Sequence, residues 1–213
     1  MDERGGMNDE TIGSWLDQLA SSAPAPGGGA AAAMHAAIGA ALVSMVANLT
    51  IGKSAYAAHE EHAVSVRDRA EALRHKAIRL AADDAAAFTA LMATYRLPKE
   101  TAEQKAERGA AIRSATEAAA GVPLEIAATA AEVIELAESL PGRSNPNVLS
   151  DVAVAASSAV AAVESAAVNV EINLGSLRDA AVKEPLATAL AEHLRVADRA
   201  RTLVAEVRRE INQ

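Results

Sequence analysis

A carboxylate on an apolar helix stripe is the first candidate for chemistry. On a helix, Asp84 shares its face with apolar neighbours, namely Leu80, Ala81, Ala87, Phe88 and Leu91. A carboxylate that points into a helical bundle is costly unless it is paired or functional. Asp84 is therefore a candidate proton-transfer group, the alternative being a structural hydrogen bond to another helix. Asp151 either performs the same chemistry or interacts with the positive end of the helix that it begins.

A proline- and glycine-rich segment, Pro24-Ala25-Pro26-Gly27-Gly28-Gly29, precedes a long uncharged stretch. No Asp, Glu, Lys or Arg occurs from Gln18 to Gly52. Glycines at a helix start expose backbone N–H groups, which can bind an anion or a polar ligand. Gly27, Gly28 and Gly29 are thus candidate ligand-binding residues, or they simply permit a tight turn under a packed helix.

Two amides and one cation complete the polar candidates. Asn169 and Asn173 are one helical turn apart, so they either bridge helices or bind a polar ligand. Lys53 follows the uncharged helix, where a cation is favourable near the C-terminal end of the helix dipole. That role is compatible with ligand binding.

A metal site is not expected. The histidines of His59-Glu60-Glu61-His62 are three residues apart, whereas the zincin motif separates its histidines by four. The chain has no cysteine, which excludes thiolate ligands and disulfides. This segment is better explained as a solvated helix face.

The composition predicts an all-α protein, a single-domain bundle of long Ala-rich helices. Aromatic residues make up 2% of the 213 residues, and half of the chain is hydrophobic, mostly Ala, Val and Leu. Residues 1–8 are expected to form a disordered tail and residues 9–213 one helical domain. Asn8 or Asp9 can cap a first helix that carries Ile12, Trp15, Leu16 and Leu19. The further helices are predicted over residues 30–53, 56–95, 101–121, 123–140, 150–174 and 185–211, and Thr101 begins a capping box.

Charge and hydropathy limit the partners. A net charge of −8 argues against general nucleic-acid binding. Residues 30–51 are long enough to span a bilayer, but their alanine content, polar residues and lack of flanking aromatics favour a central bundle helix. The charged N-terminus has no apolar segment of the signal type, so we expect a cytoplasmic protein.

The ordered set of motifs resembles the cyclodeaminase/cyclohydrolase family of folate enzymes. The resemblance covers residues 12–180 and begins with the glycine segment and Ser44-Met45-Val46-Ala47-Asn48-Leu49-Thr50-Ile51-Gly52-Lys53. It continues through Asp84-Ala85-Ala86-Ala87-Phe88, Leu97-Pro98-Lys99, Val122-Pro123-Leu124, Ser144-Asn145, Ser150-Asp151 and Asn169-Val170-Glu171-Ile172-Asn173-Leu174. Two departures are Ala30, where the family usually has Ser, and His35.

The resemblance implies an all-helical homodimer that acts on the N5/N10 one-carbon bridge of tetrahydrofolate. The two reactions are ammonia release by a formiminotetrahydrofolate cyclodeaminase and water addition by a methenyltetrahydrofolate cyclohydrolase, and the sequence does not separate them. The carboxylate that stabilises the cation and moves protons would be Asp84 or Asp151. Lys53, a further candidate catalytic residue, and the glycines would hold the folate's carboxylate side or its bridge region. Asn48, Asn169 and Asn173 orient the pterin or water. No cofactor is implied beyond tetrahydrofolate as the substrate carrier. The competing hypothesis is a non-catalytic folate-binding or scaffolding domain.

Overall fold

The chain folds into one bundle of six α-helices in the computed structural model, which describes residues 10–177 and 179–212. The predicted tail at residues 1–8 and the proposed caps Asn8 and Asp9 lie outside the described residues. Short 3₁₀ turns occur at Ser54–His59 and Pro146–Val148. The helices are α1 (Ile12–Leu19), α2 (Gly28–Asn48), α3 (Glu60–Thr94), α4 (Ala102–Glu138), α5 (Leu149–Ser176) and α6 (Ala180–Glu210). Within the described part of the chain there is no strand, so the all-α prediction is confirmed.

The uncharged helix α2 lies at the centre of the bundle, against α3 on one side and α5 on the other. The chain packs closely because most of the core is alanine and valine. A Cβ atom added at Gly39 would lie 3.0 Å from the carbonyl oxygen of Ala155, so this close approach of α2 and α5 depends on glycine. One face of α2 remains exposed in the single chain. Twelve of its 21 residues are buried within the single chain.

Two helix boundaries near prolines differ from the prediction because neither Pro123 nor Pro185 begins a helix. Helix α2 also ends earlier than predicted, at Asn48, and α3 begins later, at Glu60. Helix α4 continues from Ala102 to Glu138 with Pro123 inside it, where a break had been predicted between residues 121 and 123. Helix α6 begins at Ala180 rather than Pro185, and Asp179 caps it by accepting a hydrogen bond from the backbone N–H of Ala181. The predicted capping box is present, since Thr101 accepts from the N–H of Gln104.

Two helices are long and apolar enough to cross a membrane by length and composition alone. They are Gly28–Asn48 and the stretch Pro146–Ser176. Of their most apolar windows, 61% and 56% of the residues are buried inside the bundle, as in the core helices of globular domains.

Candidate active site

A cleft of about 470 Å³ opens at one end of the bundle, where the glycine segment meets three helices. Its volume falls within the range of small-molecule sites, about 300–1,000 Å³. The walls come from the segment before α2, the second half of α3, the middle of α4 and the end of α5. The lining residues are Pro24, Ala25, Gly27, Gly28, Gly29, Asp84, Ala87, Phe88, Leu91, Met92, Tyr95, Ala119, Pro123, Asn169, Ile172, Asn173 and Ser176.

Asp84 lies directly against the first turn of α2. A Cβ atom added at Gly29 would overlap the Asp84 carboxyl group, so glycine at position 29 is what lets this carboxylate approach the helix. The backbone N–H of Ala30, one of those that a helix start leaves without an intrahelical partner, lies near the Asp84 carboxylate and favours its charged form. Position 30 thus contributes a backbone group, and its fully buried side chain is not part of the cleft lining.

Burial raises the pKa of Asp84 above its ordinary value, and the hydrogen bond from Ala30 only partly opposes this effect. Asp83, the neighbouring carboxylate, is exposed, as the sequence predicted. A carboxyl group whose pKa moves toward neutrality can both accept and return a proton during one reaction. Asp84 is the one Asp or Glu among the residues that line the cleft.

The two predicted amides lie on the opposite wall. The Asn169 side chain packs on Gly28, where an added Cβ atom would be 3.5 Å from Nδ2, and Nδ2 donates to the carbonyl oxygen of Ser165 at 2.8 Å. The Nδ2 of Asn173 donates to the carbonyl oxygen of Ala119 at 3.0 Å.

That last contact explains how α4 passes through Pro123. Proline has no backbone N–H, so the carbonyl of Ala119, four residues earlier, lacks its usual helical donor. Asn173 supplies the missing donor from α5. One N–H of Nδ2 is used in this way, so the carbonyl oxygen Oδ1 and the second N–H of Asn173 remain for a ligand.

The apolar walls contain residues that sequence reasoning did not assign to the site. Phe88, Leu91 and Ile172 were named only as helix neighbours of Asp84 or as members of a motif, and Met92 and Tyr95 were not assigned to the site. A usable signal existed, because the chain has only four aromatic residues and two of them, Phe88 and Tyr95, follow Asp84 on α3 at helical spacing. Such walls suit a flat aromatic ligand.

Three predicted site residues lie elsewhere in the single chain. Asn48 is the last residue of α2, at the end opposite the cleft, and Lys53 follows it in the chain. The 21 residues of α2 span about 30 Å. Asp151 lies in the first turn of α5, about five turns or 27 Å from Asn169. Within one chain the structure brings Gly27, Gly28, Gly29, Asp84 and Asn173 together around one cleft, whereas Lys53 and Asp151 do not line it. Asn48 donates to Ser44 Oγ at 3.4 Å and does not line the cleft either.

Among residues 10–177 and 179–212, no group of three or more His, Cys, Asp or Glu side chains is arranged to hold a metal ion. His62 instead contacts the carbonyl oxygen of Ser139 at 3.1 Å, and His35 is exposed on α2. The polar side chains that line the cleft are those of Asp84, Tyr95, Asn169, Asn173 and Ser176.

Comparison with known proteins agrees with this geometry. A methenyltetrahydrofolate cyclohydrolase of Methylorubrum extorquens is 50% identical over 175 residues, which cover 82% of this chain and 84% of that protein. The formimidoyltransferase-cyclodeaminase of Rattus norvegicus is 34% identical over 180 residues, and the match spans 32% of its length. The crystal structure of a formiminotetrahydrofolate cyclodeaminase from Thermotoga maritima superposes with a TM-score of 0.86 and 26% identity, covering 97% of this chain and 99% of that one.

The family model described as formiminotransferase-cyclodeaminase matches residues 11–192, which include the whole cleft. The glycine segment, Asp84 and both cleft amides therefore fall within the matched region. The chain belongs to the formiminotransferase-cyclodeaminase family.

Proposed function

We propose that this protein is a methenyltetrahydrofolate cyclohydrolase, which adds water to the cationic N5/N10 bridge and opens it to the 10-formyl form. The observation that carries the proposal is the half-buried Asp84 carboxylate, held at the start of α2 in a cleft whose walls fit a flat substrate. The similarity to the Methylorubrum cyclohydrolase over most of both chains favours this reaction. The substrate carrier is tetrahydrofolate, and the proposed reaction requires no further cofactor.

The proposed reaction uses Asp84 twice. Water attacks the bridge carbon and gives one proton to the Asp84 carboxylate, so a neutral tetrahedral adduct forms from the cation. The carbon–N5 bond then breaks, N5 takes the proton from Asp84, and the second water proton leaves as the formyl carbonyl forms. A carboxylate near the cationic bridge also stabilises it electrostatically. The Oδ1 atoms of Asn169 and Asn173 are acceptors that orient the attacking water or the pterin.

The second candidate is formiminotetrahydrofolate cyclodeaminase, favoured by the likeness to the Thermotoga structure over nearly the whole chain. In that reaction N10 attacks the carbon of the protonated, cationic formimino group and loses its own proton to Asp84. The same proton then goes to the departing nitrogen, which leaves as ammonia. Both reactions pass through a tetrahedral carbon between two nitrogens, so one carboxylate serves either.

The test is to assay the purified protein with both substrates, following methenyl absorbance and ammonia release. Asp84→Asn keeps the size of the side chain but loses its basicity, so turnover should fall by about 10²-fold or more while folate still binds. Asp83→Asn is the matched control and should retain full activity, since Asp83 is exposed and outside the cleft. Folate binding without turnover by the unmutated protein would support the non-catalytic alternative instead.

We also propose that the protein is a cytoplasmic homodimer. The exposed face of α2 carries no charged residue over Gly28–Asn48, and Ile38, Met45 and Leu49 are each at least a third exposed. The adjoining face of α5 exposes Val154, Val168 and Ile172. A continuous apolar surface of this kind is typical of an interface between subunits. Sedimentation of the purified protein as a monomer would contradict the dimer.

A further inference from the structure

The apolar face formed by α2 and α5, called here the shared face, runs the length of both helices. Its exposed members are Ile38, Met45 and Leu49 on α2, and Val154, Val168 and Ile172 on α5. Glu164 of α5 instead pairs with Arg201 on α6, while Asp151 lies at one end of the shared face. Between its ends the shared face carries no Asp, Glu, Lys or Arg and exposes apolar side chains, as expected of a surface that a second copy covers.

The candidate site residues occupy the two opposite ends of this face. Helices α2 and α5 are antiparallel, since Gly28 lies against Asn169 and Gly39 lies against Ala155 and Ala159. One end, the cleft end, holds the glycines, Asp84, Asn169 and Asn173. The other, the lysine end, holds Asn48, Lys53 and Asp151.

The lysine end is a compact structure. The backbone N–H of Asn145 donates to Thr50 Oγ1 at 3.0 Å, and Asn145 Nδ2 donates to the carbonyl oxygen of Leu49 at 3.3 Å. These bonds fix the start of α5 beside the end of α2. Lys53 is exposed and makes no ion pair with any residue that the structure describes.

The side chains at the cleft end and at the lysine end of α5 also point to the same side of the bundle. Asp151 and Asn169 are about five full turns apart on α5, so their side chains leave the helix in the same direction. Val154, Ala161 and Val168 follow one another at intervals of two turns, and Ala161 lies midway between the two ends.

In a two-fold dimer each patch meets its own copy, so residue i contacts residue j and residue j contacts residue i. A two-fold axis that crosses α5 near Ala161 at right angles packs each helix antiparallel on its copy. Val154 of one subunit then meets Val168 of the other, and the cleft end of each subunit faces the lysine end of its partner.

The cleft of a single chain lacks the cation that the proposed substrate requires. A folate carries an anionic glutamate, yet none of the residues that line the cleft is Lys, Arg or His. Arg108 lies behind the wall, with its guanidinium 6.0 Å from the centre of the Tyr95 ring and Nη2 donating to the Tyr95 carbonyl oxygen. A buried anion site without a positive partner would bind its ligand poorly.

We infer that the active site is completed across the dimer, with Lys53 of the partner subunit binding the substrate's glutamate carboxylate at the mouth of the cleft. This inference rests on the proposed function for the identity of the ligand, whereas its geometry can be tested without any activity. Asp151 of the partner subunit reaches the same cleft mouth as a second ionisable group.

The geometric test uses the absence of cysteine from the chain. Val154→Cys and Val168→Cys proteins, neither altered in the cleft lining, are mixed, allowed to exchange subunits and treated with a short bismaleimide. The expected result is a cross-linked dimer in the mixture and little in either protein alone, since identical cysteines would be about 20 Å apart. Cross-linking within each separate protein, or its absence from the mixture, overturns the antiparallel arrangement.

The functional test is subunit complementation with Asp84→Asn and Lys53→Met. Lys53→Met should raise KM about tenfold, the usual scale for losing one charge-assisted hydrogen bond, with little change in kcat. Lys183→Met, on the exposed surface of α6, is the control for loss of a lysine charge and should leave KM unchanged.

In a purified heterodimer of the two variants, a shared site leaves one cleft with both Asp84 and Lys53 intact. Assayed below KM, that heterodimer should recover about half of the wild-type dimer's activity, whereas sites confined to single chains would recover almost none. An unchanged KM for Lys53→Met or a failure to complement overturns the inference. A wild-type protein that cross-links as expected but has no turnover would instead contradict the proposed function.

Discussion

Gly29→Ala tests most directly how the structure positions its carboxylate. The added methyl group would occupy the space of the Asp84 carboxyl group. Since the backbone of α2 is fixed by its packing on α3 and α5, the short Asp84 side chain should rotate away. It then loses the N–H of Ala30 and its place in the cleft, although every ionisable group of the protein is still present.

The expected magnitudes separate catalysis from stability. Displacing Asp84 removes its interaction with the Ala30 N–H but returns the carboxylate to water, so the two effects on the free energy of unfolding oppose each other. Alanine in place of glycine stabilises a helix by up to about 1 kcal/mol. The melting temperature should therefore change by no more than about 4 °C in a chain of this size. Turnover should fall by about 10²-fold, as for Asp84→Asn, because the displaced carboxylate no longer reaches the reacting atoms.

The assay combines steady-state turnover of the methenyl substrate with thermal unfolding. Gly175→Ala is the matched control, since its added methyl group meets nothing within 4 Å and lies outside the cleft lining. It should keep full activity with an equal or slightly higher melting temperature. Gly28→Ala should have a smaller effect than Gly29→Ala, because its methyl group makes only an ordinary contact with Asn169. If Gly29→Ala retained activity within a factor of a few of wild type, Asp84 would not be the reacting carboxylate.

Two further predictions concern the polar groups of the cleft. Because burial raises the folded-state pKa of Asp84, its charge destabilises the fold once the pH exceeds that pKa. Asp84→Asn should therefore melt at a higher temperature than wild type at neutral pH. The part of this difference that depends on the charge of Asp84 should vanish below the ordinary carboxyl pKa of 3.8. An equal difference in melting temperature at all pH values would contradict a pKa raised by burial. Asn173→Leu leaves the Ala119 carbonyl without a donor and should cost about 1–3 kcal/mol of the free energy of unfolding, whereas in a Pro123→Ala background the restored N–H should remove most of that cost. A double-mutant cycle by chemical denaturation measures the coupling, and additive costs would show that the two residues act independently.

The sequence predicted the fold class because the chain is rich in alanine and poor in aromatic residues, a composition that favours helices over strands. The sequence also identified Asp84 as a candidate site residue, because a single charged residue on an apolar helix stripe has few structural explanations. It misplaced the end of the helix before Pro123 because proline usually breaks helices, and the compensating donor, Asn173, is some fifty residues away in the chain. Local rules carry no information about such a partner.

Lys53 and Asp151 do not lie in the same cleft as Asp84 within one chain, and the sequence did not show this for a different reason. Polar residues on apolar backgrounds indicate a ligand site, but they do not say whether one chain or two supply it. The direction of α2 and α5 had to be known before the two groups could be assigned to opposite ends. The sequence therefore identifies the residues that could do chemistry but contains no information on the distances between them.

Asp84 and Asn173, two of the polar side chains that line the cleft, interact with backbone groups that an uninterrupted helix would have used itself. The Ala30 N–H is available to Asp84 because α2 starts there, and the Ala119 carbonyl is available to Asn173 because Pro123 has no N–H. These bonds leave a carboxylate and an amide oxygen with fixed directions toward the cleft, at little cost in side-chain entropy. The residues that determine the geometry, Gly29 and Pro123, have no chemical function of their own. Substitutions there should change turnover as strongly as substitutions of the groups that react, and specificity within the family should follow the apolar walls and the residues at the cleft mouth.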